Sequence, residues 1–329
     1  MTRVFSGIQP SGELHIGNYL GAVQNWVRLQ TQHDCLFCVV DLHAITQAYD
    51  PANLASLTME MAVSLYAAGL DPDKCIVFVQ SHVPEHTELN WLLTSVAPLG
   101  ELERQTQFKD KAQRHESVSA GLLAYPILQA ADVLLYKASL VPVGEDQVQH
   151  LELMREITRR WNARYGEGYF PEPQALLTQS KRVLGLDGKA KMSKSLGNTI
   201  GLFESSEAIW EKLRPAATDP ARVTRKDPGT PELCNIYTLH QGFSPPGTVQ
   251  EVAQKCRIAG WGCLDCKRVL ADNMIATLAP LRERAEALKQ NPAGVMERLR
   301  AGAARARELA RRTMVEVRDR MGFLSAGTD

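Results

Sequence analysis

Residues 5–21, Phe5-Ser-Gly-Ile-Gln-Pro-Ser-Gly-Glu-Leu-His-Ile-Gly-Asn-Tyr-Leu-Gly21, join a short apolar run, Arg3 to Ile8, to a helical pattern from His15 to about Leu29. The break between them, Gln9-Pro10-Ser11-Gly12, is turn chemistry, so the stretch reads as a strand-to-helix crossover. The rhythm then repeats. Cys35 to Val40 is six consecutive apolar residues, as short and β-rich as a strand buried on both faces should be. Asp50-Pro51 supplies an N-cap and a first-turn proline for a helix to about Ala68, closed by Gly69. Lys74 to Gln80 predicts a third strand before helical pattern from Glu85, and Val141-Pro-Val-Gly144 predicts a fourth before a helix over 145–164. Alternation of this kind implies an α/β fold with a doubly wound parallel sheet. Ligands in such sheets lie beyond the carboxyl ends of the strands, so segments 6–11, 41–46, 80–82 and 144–147 are expected to converge on one crevice.

Composition narrows the class. The 329 residues carry 37 basic and 37 acidic side chains, with 44% hydrophobic and 22% charged residues, the profile of an ordinary folded protein long enough for two domains. No apolar stretch approaches the roughly 18 residues of a membrane span, and residues 1–17 lack the apolar centre of a signal peptide. Zero net charge argues against coating nucleic acid by bulk electrostatics, but not against a local basic patch. Seven cysteines, an odd number without a signal, point to a reducing cytosol. After Leu184 the texture changes: residues 184–199 are Gly/Lys/Ser-rich and too polar to be core, and they give way to helical sequence. From Leu281 onward 11 Arg and Lys stand against 7 Asp and Glu, which reads either as a solvated helix surface or as a face for RNA phosphates.

Three groups of residues can carry chemistry. His15 and Asn18 are three apart and share a helix face, while Gly17 and Gly21, four apart, leave a groove where a flat ring could lie on the backbone. The helix N-terminus suits a phosphate; alternatively Gly12 and Gly17 serve only tight turning and packing. In Lys189-Ala-Lys-Met-Ser-Lys-Ser-Leu-Gly-Asn198, Lys191 and Lys194 flank a Met-Ser pair in a loop that could close over polyphosphate, or simply be solvated. Cys234-x21-Cys256-x6-Cys263-x2-Cys266 is a possible thiolate cage for zinc or an iron–sulfur cluster, or a set of free thiols. Zinc ligands typically come as two close pairs, and only one pair here is close. Cys35 and Cys38, three apart on a strand, point to opposite faces; with Cys75 they read as core residues.

Taken together, His15-Ile-Gly-Asn18 and Lys191-Met-Ser-Lys-Ser195 resemble the two signature motifs of class I aminoacyl-tRNA synthetases. Phe5-Ser-Gly-Ile-Gln-Pro-Ser-Gly12, Asp41-Leu-His-Ala-Ile-Thr46, Gly100-Glu-Leu-Glu-Arg104, Ser119-Ala-Gly-Leu-Leu123 and Val141-Pro-Val-Gly-Glu-Asp-Gln-Val-Gln-His150 narrow the resemblance to the bacterial tryptophanyl-tRNA synthetases, over essentially the whole chain. The resemblance implies a Rossmann-like catalytic domain over 1–184, a mobile loop over 185–200 and a helical anticodon-binding domain over 201–329, in a cytoplasmic homodimer. It implies that L-tryptophan attacks the α-phosphorus of ATP–Mg²⁺ to give tryptophanyl-adenylate, from which the amino acid passes to tRNA(Trp).

By the same resemblance His15, Asn18, Lys111, Lys191 and Lys194 act on the phosphates. Gln9, Pro10, Ser11, Gly17, Gly21, Gly144, Glu145 and Asp146 complete the ATP site with Met192, Ser193 and Ser195 of the loop. Tryptophan is expected to lie among Phe5, Gly7, Gln9, His43, Tyr125, Gln129, Asp132, Val141, Val143 and Gln147. Its indole N–H only donates, so the pocket needs a buried acceptor, and Asp132 matches it; the other reading has Asp132 capping or ion-pairing within its own helix. Two positions depart from the pattern: Asn18 stands where many class I enzymes have a second histidine, and Gln129 where many relatives carry methionine. The cysteine spacing is similar to that of a subset carrying a 4Fe–4S cluster in the anticodon-binding domain, although their first gap is one residue longer. Tyrosyl-tRNA synthetase, which shares the fold, and a non-charging relative are the rival readings.

Overall fold

The computed structural model describes residues 1–106, 108–109, 119–144, 147–177 and 183–325. Five parallel strands, β1 (Arg3–Ile8), β2 (Asp34–Val39), β3 (Ile76–Val79), β4 (Leu140–Val143) and β5 (Gln174–Leu177), form one sheet in the order β3-β2-β1-β4-β5. Four of them lie within two residues of their expected bounds. β5 was not foreseen: Gln174-Ala-Leu-Leu has no β-branched residue, and it is a strand because β4 offers it a partner, Val141 opposite Ala175 and Pro142 opposite Leu176.

The period-2 alternation of the strands sorts their side chains into two cores. Val4, Cys35, Phe37, Val39 and Val77 face one core, and Phe5, Leu36, Cys38, Phe78 and Val141 the other. Cys35 and Cys38 do fall on opposite faces, and Cys75 is buried, as their spacing and setting suggested. Around the sheet lie α1 (Ile16–Asn18), α2 (Gln24–Leu29), α3 (Asp41–Ala44), α4 (Pro51–Ala68), α5 (Glu85–Thr94), α6 (Leu99–Glu103), α7 (Ala120–Leu134) and α8 (Val148–Tyr165). Then follow α9 (Ser206–Leu213), α10 (Asn235–Phe243), α11 (Pro246–Arg257), α12 (Cys263–Lys289) and α13 (Pro292–Arg320). α4 begins where Asp50 accepts the Ala52 N–H at 3.0 Å and ends at Gly69, whose φ of +114° only glycine adopts cheaply. Among the described residues no helix is long and apolar enough to cross a membrane.

The C-terminal helices pack back on the sheet. α12 lies along α4, and α13 packs on β3 and α5, covering the sheet edge at β3. Ion pairs hold α13 to α5: Glu85 accepts from Arg307 at 3.1 Å, and Glu88 takes both arms of Arg318. The close approach depends on Gly302, where a Cβ would stand 2.0 Å from the Val77 carbonyl oxygen. In an open helix, Gly→Ala stabilises by about 1 kcal/mol. Here the obstacle is backbone that cannot swing aside, so Gly302→Ala should destabilise by about 2–3 kcal/mol, read as a lower urea midpoint. A raised midpoint would show that α13 is not seated on β3.

Candidate active site

The strand order reverses at β1, so the carboxyl ends of β1 and β4 flank a switch point where a crevice opens. Ser6 Oγ spans it, donating to the Pro142 carbonyl at 3.4 Å. The neighbouring loops are tied together. Asp41 accepts the Ser81 N–H at 3.0 Å, and Gln80 Oε1 accepts the Leu42 N–H at 3.2 Å. Segments 6–11, 41–46 and 80–82 therefore gather at this end, with Gly144 and Gln147 following β4. Lys111, Glu145 and Asp146 lie outside the described residues.

One wall is set for phosphate. His15 is the N-cap of the first helix, and its Nδ1 accepts the Asn18 N–H at 3.3 Å. An imidazole nitrogen that accepts carries no proton, so the ring proton sits on Nε2 as a donor. Burial, with help from the charges of Lys194 and Lys191, lowers the His15 pKa to about 4, which keeps the ring neutral at pH 7. The unfolded chain takes up that proton near pH 6.5. The stabilisation from a neutral His15 is therefore complete above about pH 6.5 and is lost as pH falls toward 4. Between α1 and α2 the helix loosens into a π turn, Tyr19–Val23, and a Cβ on Gly21 would meet no atom within 4 Å. Gly17 is tighter: its Cβ would lie 2.9 Å from His15 Nδ1 and 3.2 Å from Met192 Cβ.

That contact brings the lysine-rich loop to the first motif. Ile16 N–H donates to Ile200 O at 2.9 Å, Leu202 N–H donates to Leu14 O at 2.7 Å, and His15 bridges Gly201 antiparallel between them. The expectation of a stretch too polar for core needs correcting, because Met192 and Asn198 are buried. Asn198 Oδ1 accepts the Ser193 N–H at 2.8 Å and its Nδ2 donates to Asp187 at 3.1 Å, fixing the loop's shape. Lys194 reaches back to donate to the Ser11 carbonyl at 2.6 Å; burial lowers its pKa, against the pull of Glu13 and Glu60.

The opposite wall is aromatic. Tyr125, Gln129 and Asp132 recur at helical spacing along α7 and share one face. Asp132 is 2% exposed and finds its partners off its own helix: His43 Nε2 donates at 2.8 Å, Gln80 Nε2 at 2.6 Å and His86 Nδ1 at 2.6 Å. Burial favours protonation, but the bonds from His43 and His86 outweigh it and hold the carboxyl well below the usual carboxylate range. His86 Nε2 pairs in turn with Tyr136 OH at 2.8 Å. The Phe5 ring stacks on Tyr136 at 5.6 Å, His43 stands edge-on to Tyr125 at 6.4 Å, and Val141 and Val143 are buried. Tyr125 OH bonds His150 Nε2 at 2.7 Å, and burial pushes its phenol up to about 12. Gly7 and Gln9 are exposed at the mouth. Sequence reasoning missed Gln80 and His86 as partners of Asp132, and Tyr136 behind them. Only Gln80 carries a signal, a polar side chain directly after the fully apolar strand β3.

In the helical region, Cys234, Cys256, Cys263 and Cys266 line one partly open cavity of about 30 Å³ with Arg222 and Trp261. Burial, and then the other three cysteines, push the Cys266 thiol up to about 12. Arg222 Nη1 lies 3.9 Å from Cys256 Sγ, and its Nε is buried with no partner. Among the described residues no group of three or more His, Cys, Asp or Glu is arranged to hold a metal ion.

The pattern of the family described as "tRNA synthetases class I (W and Y)" matches residues 1–279. The tryptophan–tRNA ligase of Deinococcus radiodurans is 56% identical over 329 residues, 98% of this chain and 99% of that protein. The tryptophan–tRNA ligase of Gloeobacter violaceus is 46% identical over 98% of this chain and 96% of that one. In structure, the tryptophanyl-tRNA synthetase of Campylobacter jejuni complexed with ADP and tryptophan matches with a TM-score of 0.88 at 36% identity, covering 98% of this chain and 100% of its own. On the family match over residues 1–279 and the full-length identity to tryptophan–tRNA ligases, the chain belongs to the class I aminoacyl-tRNA synthetases, among the bacterial tryptophanyl-tRNA synthetases.

Proposed function

We infer that this chain catalyses the tryptophan–tRNA ligase reaction: it activates L-tryptophan with ATP–Mg²⁺ to tryptophanyl-adenylate, then transfers it to tRNA(Trp), releasing AMP and diphosphate. Full-length identity to tryptophan–tRNA ligases supports this, and the observation that carries it in the structure is Asp132, a buried carboxylate that can only accept. Phe5, Val141 and Val143 wall the indole with Gly7 and His43, Gln129 faces it from α7, and Tyr125 with Gln147 takes the amino group. The tryptophan carboxylate then attacks the α-phosphorus. Positioning and charge neutralisation supply the catalysis. His15 donates its Nε2–H to phosphate, Asn18 donates without titrating, and Lys191 and Lys194 hold the departing pyrophosphate with Lys111. Gln9, Pro10, Ser11 and Gly144 border the phosphates, Gly17 and Gly21 admit adenine and ribose, Glu145 completes the ATP site, and Asp146 serves the ribose or the amino-acid end. Met192, Ser193 and Ser195 carry the loop over them.

The helical region 201–329 reads the anticodon, with the basic surface of α12 and α13 toward RNA, beyond the catalytic domain 1–184 and the loop 185–200. The enzyme works in the cytoplasm as a homodimer; Trp91 on α5, 74% exposed, and Leu99 on α6, 59% exposed, are apolar surface suited to a second copy. The four cysteines hold a 4Fe–4S cluster. Four cysteines around one cavity support it, though their thiols are not gathered about one metal point here, and so does the orphaned Arg222 Nε–H, a donor for which a thiolate or sulfide is the natural acceptor. Bound there, the cluster would tie α11 and α12 together beside the anticodon-reading surface.

ATP–pyrophosphate exchange with tryptophan and tyrosine offered separately tests the function. Exchange with tryptophan alone is expected; exchange with tyrosine alone, or with neither, overturns it. Anaerobically purified protein is expected to be brown, to absorb near about 400 nm and to contain iron and sulfide in equal amounts. Colourless, iron-free protein removes the cluster assignment and leaves the ligase assignment standing.

A further inference from the structure

Asp132 receives more hydrogen bonds than the reading of an indole requires. A carboxylate has about four lone-pair positions. Oδ1 takes two donors, Gln80 and His86, and Oδ2 takes one, His43, so a single position on Oδ2 remains for a ligand. Behind His86 the chain continues to Tyr136, which is 1% exposed and packed between Phe5 and Phe78. We propose that His86 and Tyr136 are specificity-determining positioning residues, which hold Asp132 as a pure acceptor with one lone pair left for the ring N–H of tryptophan. The proposal rests on Asp132 as the reader of the indole.

With a neutral His86 ring, each proton in the chain has one place. An ionised carboxylate cannot donate, so His86 must carry a proton on Nδ1. Its Nε2 is then a lone pair, and Tyr136 must donate to it. Burial raises the Tyr136 pKa well above its ordinary value, so the phenol keeps that proton. Without the phenol O–H, Nε2 is a buried lone pair with no donor, and the ring is no longer held so that its Nδ1–H aims at Oδ1. When the ring turns, Oδ1 loses that donor, and the carboxylate responds by turning or by binding a proton. Either response removes the acceptor that the indole N–H needs. Neither residue touches the substrate; both act through Asp132.

The experiment compares kcat/KM for tryptophan with that for its benzothiophene analogue, in which sulfur replaces the ring N–H. Wild-type enzyme should strongly prefer tryptophan. Tyr136→Phe keeps the ring and its packing, and should cut that preference about tenfold, the scale of one hydrogen bond to a charged group. KM for tryptophan should rise while KM for ATP stays put. His86→Asn, whose amide can stand where Nδ1 stood, should retain most of the preference; His86→Gln, whose amide reaches the Nε2 position, should lose it. If Tyr136→Phe does not fold, the His86 pair decides. An unchanged preference with both substrates slowed equally, or His86→Asn as damaged as His86→Gln, makes the chain mere scaffolding and overturns the proposal. Wild-type enzyme that does not prefer tryptophan would overturn the role of Asp132 itself.

Discussion

In Asp132→Asn, tryptophan-dependent ATP–pyrophosphate exchange should fall by about 10³-fold or more while ATP affinity changes little. A site built around one hydrogen bond rejects a ligand that cannot make it by about 10⁴–10⁵, and the mutation inverts that logic on the protein side. Three donors already point at Asp132 from His43, Gln80 and His86. An asparagine replaces one acceptor oxygen with an NH₂, so a donor must face a donor either inside the network or at the indole. The ATP wall, built on His15 and Lys194, shares none of these bonds, so ATP binding serves as the control for folding. Wild-type exchange rates in this variant would remove Asp132 from the pocket. The pH dependence has a definite sign. Because the carboxyl is held below its unfolded value of about 3.9, its contribution is present above that pH and is lost only below it. An acid limb of tryptophan binding between pH 5 and 7 must come from another group.

Lys194→Ala should lower kcat for the same exchange by about 10²–10³-fold, the usual loss when one preorganised charge donor is removed. In the free protein the ammonium of this exposed side chain rests on a neutral acceptor, the Ser11 carbonyl. It therefore has unspent interaction energy for the pyrophosphate, realised when negative charge builds on the leaving group, and such energy appears in kcat. KM for tryptophan should hold, since Asp132 and its partners stand on the other wall. Lys194→Arg should recover part of the loss by keeping the charge. A variant whose only defect is a higher KM for ATP would make Lys194 a simple binding residue.

How much of this was legible in the sequence varies with the kind of signal. Strands β1 to β4 were readable because a strand buried on both faces must be apolar throughout, and the α4 boundaries because Asp50-Pro51 and Gly69 are local chemistry. β5 was not readable, since its pairing with β4 decides it. The face shared by Tyr125, Gln129 and Asp132 follows from helical period, but the period cannot say what that face meets. Nor could the polar look of residues 184–199 reveal that Met192 would be buried against Gly17.

The amino-acid sequence by itself determined the α/β class, the two motifs with their lysines and histidine, the candidate acceptor and the spacing of four cysteines. These are properties of local order: period, turn chemistry and residue type. Only the tertiary structure decided that Asp132 is ionised, that His86 and Tyr136 stand behind it, that the two motifs pair through His15 and Gly201, and that α13 caps the sheet at Gly302. The reason is that a hydrogen bond or a burial cost depends on which side chains distant segments bring together, and no local pattern carries that information.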